Sequence, residues 1–182
     1  MKFSLTETAL IAFFAFFIIF LVVVLTSTPP KSVAAYKLYS IKPDLEYTYI
    51  VLSKSNSSQI TKISRHVLGA SDGYWIIDTS LEGGEKIRTW VSKSTLVCAK
   101  AILIFGSREK EAVCPEPFYN EELLHGGREK INFSMGSFVA DVYSSKDGKL
   151  RFWQVPEIPV PVKIDLGENI LLLENCTHPP HI

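Results

Sequence analysis

The longest apolar run of the chain lies near its N-terminus. Residues 9–25 are all apolar, and the run is followed by Pro29 and Pro30, which end a helix. If the flanking residues 5–8 and 26–27 are included, a helix here would be about 34 Å long, enough to cross a hydrocarbon core of about 30 Å. In lipid such a helix satisfies its own backbone groups. The pattern predicts a flank at residues 1–8 and a single transmembrane anchor at residues 9–27.

A cleaved signal peptide is the alternative interpretation of this segment. Val33-Ala34-Ala35 resembles a small-residue cleavage site. The apolar run is, however, longer than the usual signal-peptide core of roughly 7–15 residues. The candidate site also lies well beyond the run, after the two prolines. A retained anchor is therefore the favoured interpretation.

After a tether at residues 28–35, the pattern changes to short runs separated by turn residues, which predicts a β-rich domain at residues 36–175. The clearest hairpin joins residues 138–144 to residues 149–155 through a turn containing Asp147-Gly148. Residues 160–166 alternate apolar and polar, and Pro161 predicts an edge or a bulge there. Residues 118–125, followed by two glycines, predict a short helix. We therefore expect a mainly β fold, with one antiparallel domain built as a sandwich, an open barrel or a half-barrel.

Charge and motifs limit the possible functions. The chain carries 19 basic and 19 acidic residues, so it lacks the excess positive charge typical of nucleic-acid binders. Residues 69–73 match G-x-S-x-G, but a strand is predicted after them where a hydrolase requires a helix. No other catalytic or cofactor motif stands out. The sequence predicts neither an enzyme, nor a cofactor, nor a nucleic-acid partner.

The chain has three cysteines, and two of them suit a disulfide. Cys98 and Cys114 flank a hairpin-like excursion, and a bond between them would contribute about 3 kcal/mol by the chain-entropy argument. Cys176 is then left over. Because spacing does not fix connectivity, three reduced thiols are the alternative.

Glycosylation sequons point to an extracytoplasmic domain. Asn56, Asn132 and Asn175 each begin an Asn-x-Ser/Thr triplet, which is an acceptor in a secretory setting. Lysines on the two sides of the apolar run slightly favour the opposite orientation by the positive-inside rule. Together with the cysteines, the sequons lead us to expect a single-pass protein of the cell membrane with its C-terminal domain outside the cytoplasm.

The C-terminal tail, residues 176–182, holds candidate metal ligands. Cys176, His178 and His181 are a thiol and two imidazoles of the kind that bind zinc or copper. A stable site would need a fourth ligand, and chain termini are usually loose. A metal-binding tail is therefore a weaker interpretation.

Three functions follow from this anatomy. The first is a non-enzymatic accessory subunit of a membrane complex, or a surface component, which acts through contacts with other membrane or surface proteins and contacts lipid through residues 9–27. The second is a carrier or chaperone that holds an apolar ligand, such as a lipid, in a concave sheet lined by aromatic residues. The third is a metal-binding protein that uses the tail.

Overall fold

The structure, a computed structural model, describes residues 32–55, 60–80, 83–114 and 121–177. The predicted anchor at residues 9–27 lies outside these residues. Within them, no helix is both long enough and apolar enough to span a membrane. The described residues form one compact unit.

The described residues are almost entirely β. Their one helical turn is a 3-10 helix, Ala35–Leu38, which together with the first strand includes the end of the predicted tether. The strands are β1 (Ser32–Ala34), β2 (Glu46–Ser53), β3 (Ile60–Ser71), β4 (Tyr74–Ser80), β5 (Lys86–Ser92), β6 (Cys98–Phe105), β7 (Arg108–Ala112), β8 (Glu122–Phe133), β9 (Gly136–Ser145), β10 (Arg151–Gln154), β11 (Lys163–Asp165) and β12 (Asn169–Thr177).

All these strands belong to one antiparallel sheet. Its order is β1-β8-β9-β10-β11-β12-β2-β3-β4-β5-β6-β7. Two meanders, β2 to β7 and β8 to β12, are therefore joined side by side through β12 and β2. Because β1 and β7 are the end strands and do not pair with each other, the sheet is open. The prediction of a mainly β, antiparallel domain is confirmed, and within the described residues it is one sheet.

The core lies on one face of the central strands. Tyr47 and Tyr49 on β2 are each 2% exposed, and they lie on the same face as Leu173 of β12. Two segments outside the strands, residues 38–45 and 155–162, contribute further buried residues to this core. The Tyr49 hydroxyl donates a hydrogen bond of 2.6 Å to the carbonyl oxygen of Pro161. The chain thus supplies its own cover for the buried face of β2.

The predicted hairpin at residues 138–155 is confirmed. It is formed by β9 and β10, whose register places Phe152 opposite Tyr143. The Ser145 hydroxyl donates to Asp147 at 2.6 Å, and the Lys149 N–H donates to the same carboxylate at 3.1 Å. The turn is therefore stabilised by contacts within a few residues of sequence, which is why a local pattern predicts it.

The alternating stretch at residues 160–166 forms a shorter strand than predicted. Only Lys163–Asp165 are in β11, and Pro161 lies before it in the covering segment. Val162 still bonds through its backbone to Trp153 and Leu173, but Pro156, Pro159 and Pro161 lack N–H groups, which limits ladder pairing before it.

The predicted short helix at residues 118–125 is wrong where the structure describes it. Residues 118–120 lie outside the described residues, and Glu122 to His125 begin β8. Leu123 is fully buried between Val33 of β1 and Ser145 of β9, which are its register partners. Pairing with two strands distant in sequence therefore overrides the local helical pattern. The register shifts between His125 and Gly127, so these glycines mark a β-bulge and do not cap a helix.

Candidate interaction edge

One long strand of the sheet is covered only at its beginning. β8 is twelve residues long and pairs with β9 along its length. On its other side, β1 pairs only with residues 122–124. From His125 to Phe133, β8 therefore has no hydrogen-bonded strand on that side among the described residues, although its end lies near β12, where the Ser134 hydroxyl donates to the carbonyl oxygen of Glu174 at 3.2 Å. We call this stretch the β8 edge.

The register shows which backbone groups point outward from the β8 edge. Phe133 and Gly136 are paired across a two-residue turn, so they exchange hydrogen bonds with each other. In an antiparallel ladder, hydrogen-bonded and non-hydrogen-bonded pairs alternate. The N–H and C=O groups of Arg128, Lys130 and Asn132 therefore point away from β9.

The side chains of the β8 edge differ between its two faces. Arg128, Lys130 and Asn132 share one face and are all exposed. Ile131 and Phe133 share the other face and pack against the core. The ring of Phe133 lies 5.2 Å, centre to centre, from that of Phe138 on β9. The edge thus presents a basic face and a partly apolar face.

An ion pair supports the basic face. The Arg128 Nε donates to Asp141 of β9 at 2.8 Å, and His125 Nε2 lies 3.4 Å from the same carboxylate. The hydrogen bond from Arg128 is the largest cause that lowers the pKa of Asp141 below its ordinary value. Lys130 faces the exposed side chain of Val139 across the ladder, so its ammonium group extends into solvent.

Glu129 fastens the other face of β8 to β10. Its carboxylate accepts a hydrogen bond of 2.8 Å from Trp153 Nε1 and one of 3.0 Å from Arg151. Trp153 is 2% exposed. The register partner of Glu129 on β9 is Ala140, whose short side chain allows Glu129 to reach across to β10. β8 is therefore held in place from Arg128 to Phe133 although only β9 pairs with it there.

The hairpin of β8 and β9 also exposes apolar side chains at its far end. Met135, in the turn, is 37% exposed, and Val139 is 58% exposed. Isolated exposed apolar residues are ordinary on protein surfaces. Here they lie beside unpaired backbone groups, which makes this end of the sheet suited to a protein contact.

The opposite end of the sheet is a poorer docking edge. β7 has five residues, and Arg108, Glu109, Lys110 and Glu111 are all exposed charges. Short, charged edge strands resist the addition of another strand. The predicted disulfide is confirmed: Cys98 at the start of β6 is bonded to Cys114 just after β7, with their Cα atoms 5.7 Å apart. It ties this end strand to the sheet.

The described cavities are lined mostly by polar residues. One, of about 370 Å³, runs over β2 to β5 and includes Glu46, His66 and Asp78. A second, of about 500 Å³, lies beside the β9–β10 turn and includes Lys146 and Asp147. Tyr47 is the one aromatic residue among those that line these two cavities, and the apolar-carrier hypothesis stays a prediction.

The predicted metal ligands are divided between described and undescribed residues. His178 and His181 lie outside the described residues. Cys176 is in β12, half-buried, and burial raises the pKa of its thiol to about 11. A metal would have to displace that proton. In the described part of the chain, no three His, Cys, Asp or Glu side chains are grouped as a metal site requires. Metal binding by the tail stays a prediction.

Two of the three predicted glycosylation sites lie on exposed strand positions. Asn132 is near the end of β8 and Asn175 is in β12, whereas Asn56 lies outside the described residues. Thr177, which completes the Asn175 sequon, accepts a hydrogen bond of 3.0 Å at its hydroxyl from the backbone N–H of Glu46. Glycosylation at the three sites stays a prediction.

The sequence analysis missed the β8 edge. The local signal was weak: Ile131 and Phe133 alternate with Lys130 and Asn132, which is the period of a strand, but Arg128, Glu129 and Lys130 are three consecutive charges. That the strand lacks a second neighbour depends on where β1 stops, which no local pattern encodes.

Comparison with known proteins does not assign a family. No protein-family model matches the chain, and no curated protein matches it. Any functional assignment therefore has to come from the site itself.

Proposed function

We propose that this chain is a membrane-tethered, non-enzymatic β domain that binds an extended segment of another protein along the β8 edge. The observation that carries the proposal is the stretch from His125 to Phe133, which pairs with β9 and has no hydrogen-bonded strand on its other side among the described residues. Such edges accept added strands because their N–H and C=O groups form a ready row of hydrogen-bond partners.

Two features favour binding over a passive edge. Natural proteins protect edges by making them short, by placing charges on them or by covering them. β7 meets the first two conditions. The β8 edge also carries charges, at Arg128, Glu129 and Lys130, but it is nine residues long and carries Ile131 and Phe133 as well. Glu129 also holds the strand in position through Trp153. A strand that is already held in position binds with a smaller loss of conformational entropy than a mobile one.

The tether and the location complete the proposal. An anchor at residues 9–27 would confine the domain to a membrane, so its partners would be membrane or surface proteins. The Cys98–Cys114 disulfide supports an oxidising compartment, outside the cytoplasm. Protease added to intact cells that carry an epitope tag after Ile182 tests the location. Removal of the tag is expected, and protection of the tag would refute an external domain.

The binding test uses proline at an outward-facing position of each end strand. Lys130→Pro removes an N–H that points away from β9, so it leaves the β8–β9 ladder paired. Glu109→Pro is the matched control on β7: Glu109 lies one residue, and Lys130 three residues, from the pair that flanks its turn, so both N–H groups point away from the ladder. Each full-length variant is extracted from native membranes in mild detergent, and co-purifying proteins are quantified. Intact disulfide and unchanged circular dichroism establish that both variants fold.

A partner that is lost with Lys130→Pro and retained with Glu109→Pro is the expected result. The proposal is wrong if the wild-type protein is recovered as a lone monomer. It is also wrong if its partners are retained equally by both variants.

A further inference from the structure

We infer that the segment bound by the β8 edge is an extended strand in which acidic and apolar residues alternate. This inference rests on the proposed function, because it names the chemistry of the partner at that same edge. It follows from the register, which determines what each side chain of an added strand would meet.

On the basic face of the β8 edge, an added strand would lie beside positively charged side chains. Arg128 and Lys130 are exposed there, two residues apart. Asp141 neutralises part of the Arg128 charge, but it lies on β9, one strand further from the edge. Opposite charges on directly facing strand positions are favourable, and like charges are unfavourable. Acidic residues at every second position of the partner satisfy this face.

On the partly apolar face of the β8 edge, the same strand would extend an apolar surface. Ile131 and Phe133 pack against the core, and Met135 beside them is exposed. Side chains of a strand alternate between the faces of the sheet, so the remaining positions of the partner lie next to these three residues and to Glu129, whose charge is paired with Arg151. Apolar residues there bury surface that β8 leaves open.

A second copy of this chain fits the edge poorly. If two copies paired antiparallel along the whole nine-residue stretch, Arg128 of each copy would lie opposite Lys130 of the other. The symmetric dimer would therefore contain two pairs of like charges. Two like-charged pairs therefore oppose a symmetric edge-to-edge dimer. This argument favours a different chain, of opposite charge, as the occupant.

The test measures binding of two synthetic peptides to the full-length protein in detergent. Both peptides have nine residues, the length of the stretch from His125 to Phe133. One alternates glutamate with valine, and the other alternates lysine with valine. The acidic peptide is expected to bind about tenfold more tightly than the basic one, as two reversed cross-strand charge pairs predict. Lys130→Glu is expected to remove or invert this preference.

Lys110→Glu on β7 is the matched control, because it makes the same charge change on the other end strand. It should leave the preference unchanged. Lys130→Pro should weaken binding of both peptides, which shows that they occupy the edge and not a distant basic patch.

The outcomes separate the inference from the proposed function. Equal binding of both peptides, lost with Lys130→Pro, overturns the acidic partner and leaves the edge as a binding site. Self-association of the wild-type protein that Lys130→Pro abolishes makes a second copy the occupant and also overturns the inference. Binding that Lys130→Pro leaves unchanged, or no binding of either peptide, counts against both.

Discussion

Removal of the Glu129 carboxylate should weaken the attachment of β8 to the sheet. In Glu129→Ala, Trp153 Nε1 loses its acceptor at 2.8 Å while its ring stays buried. A buried donor left unsatisfied costs about 1–3 kcal/mol. Glu129 is half-exposed, so water can partly replace it, which sets the expected cost near the lower end of that range. The pair with Arg151 is also half-exposed and contributes little. We expect the free energy of unfolding to fall by about 1–2 kcal/mol.

A double-mutant cycle isolates this contact. The full-length chain in non-ionic detergent is unfolded with urea and followed by far-ultraviolet circular dichroism. In a Trp153→Phe background there is no indole N–H, so Glu129→Ala should cost less than about 0.5 kcal/mol. Glu129→Gln keeps an acceptor and should cost less than Glu129→Ala. Glu109→Ala, on the exposed face of β7, should stay within about 0.5 kcal/mol of the wild type.

The reasoning would be refuted by either of two results. One is a Glu129→Ala variant as stable as the Glu109→Ala control. The other is an equal cost of Glu129→Ala with and without the indole of Trp153, because the hydrogen bond would then contribute nothing. A confirmed coupling would show that Glu129, on the partly apolar face, holds β8 in place. The backbone groups that point away from β9 are not used in that contact.

Three further predictions concern the cysteines and acid stability. Replacing Cys98 and Cys114 together by serine should lower the free energy of unfolding by about 3 kcal/mol, measured by urea denaturation, and an unchanged midpoint would contradict the stabilising role. Cys176 should react slowly with iodoacetamide at neutral pH and quickly in urea, because burial raises its thiol pKa to about 11; equal rates by mass spectrometry would contradict burial. The lowered pKa of Asp141 means that unfolding takes up a proton, so its contribution is present at neutral pH and lost as pH falls through the folded-state pKa of that carboxyl. Asp141→Asn should therefore flatten the acid limb of stability against pH, and a limb as steep as that of the wild type would contradict the assignment.

Features with local causes were predictable from the sequence. The β9–β10 hairpin follows from a turn in which Asp147 bonds to residues two positions away on either side. The disulfide follows from two cysteines that flank one hairpin. Both depend on interactions between residues close in sequence, so the order of residues carries the information directly.

Features that depend on distant strands were not predictable in the same way. Residues 122–125 have a helical pattern, but Leu123 is buried by pairing with β1 and β9. The pairing of β12 with β2 joins two meanders across more than a hundred residues of sequence, and no turn between them indicates it. The candidate edge combines both difficulties, because it exists only where β8 continues past the end of the three-residue strand β1. The sequence predicts a protein-binding domain but does not indicate which edge of the sheet is free of a paired strand.

Hydrogen–deuterium exchange at the β8 edge tests the central claim most directly. Exchange in residues 126–133 is compared between the protein in native membranes and the same protein after its partners have been removed in detergent. A strand added by a partner hydrogen-bonds the outward amides of Arg128, Lys130 and Asn132, so the account predicts slower exchange in membranes. Residues 108–112 of β7 should exchange equally in both states. Equal exchange at residues 126–133 in the two states would contradict strand addition at this edge.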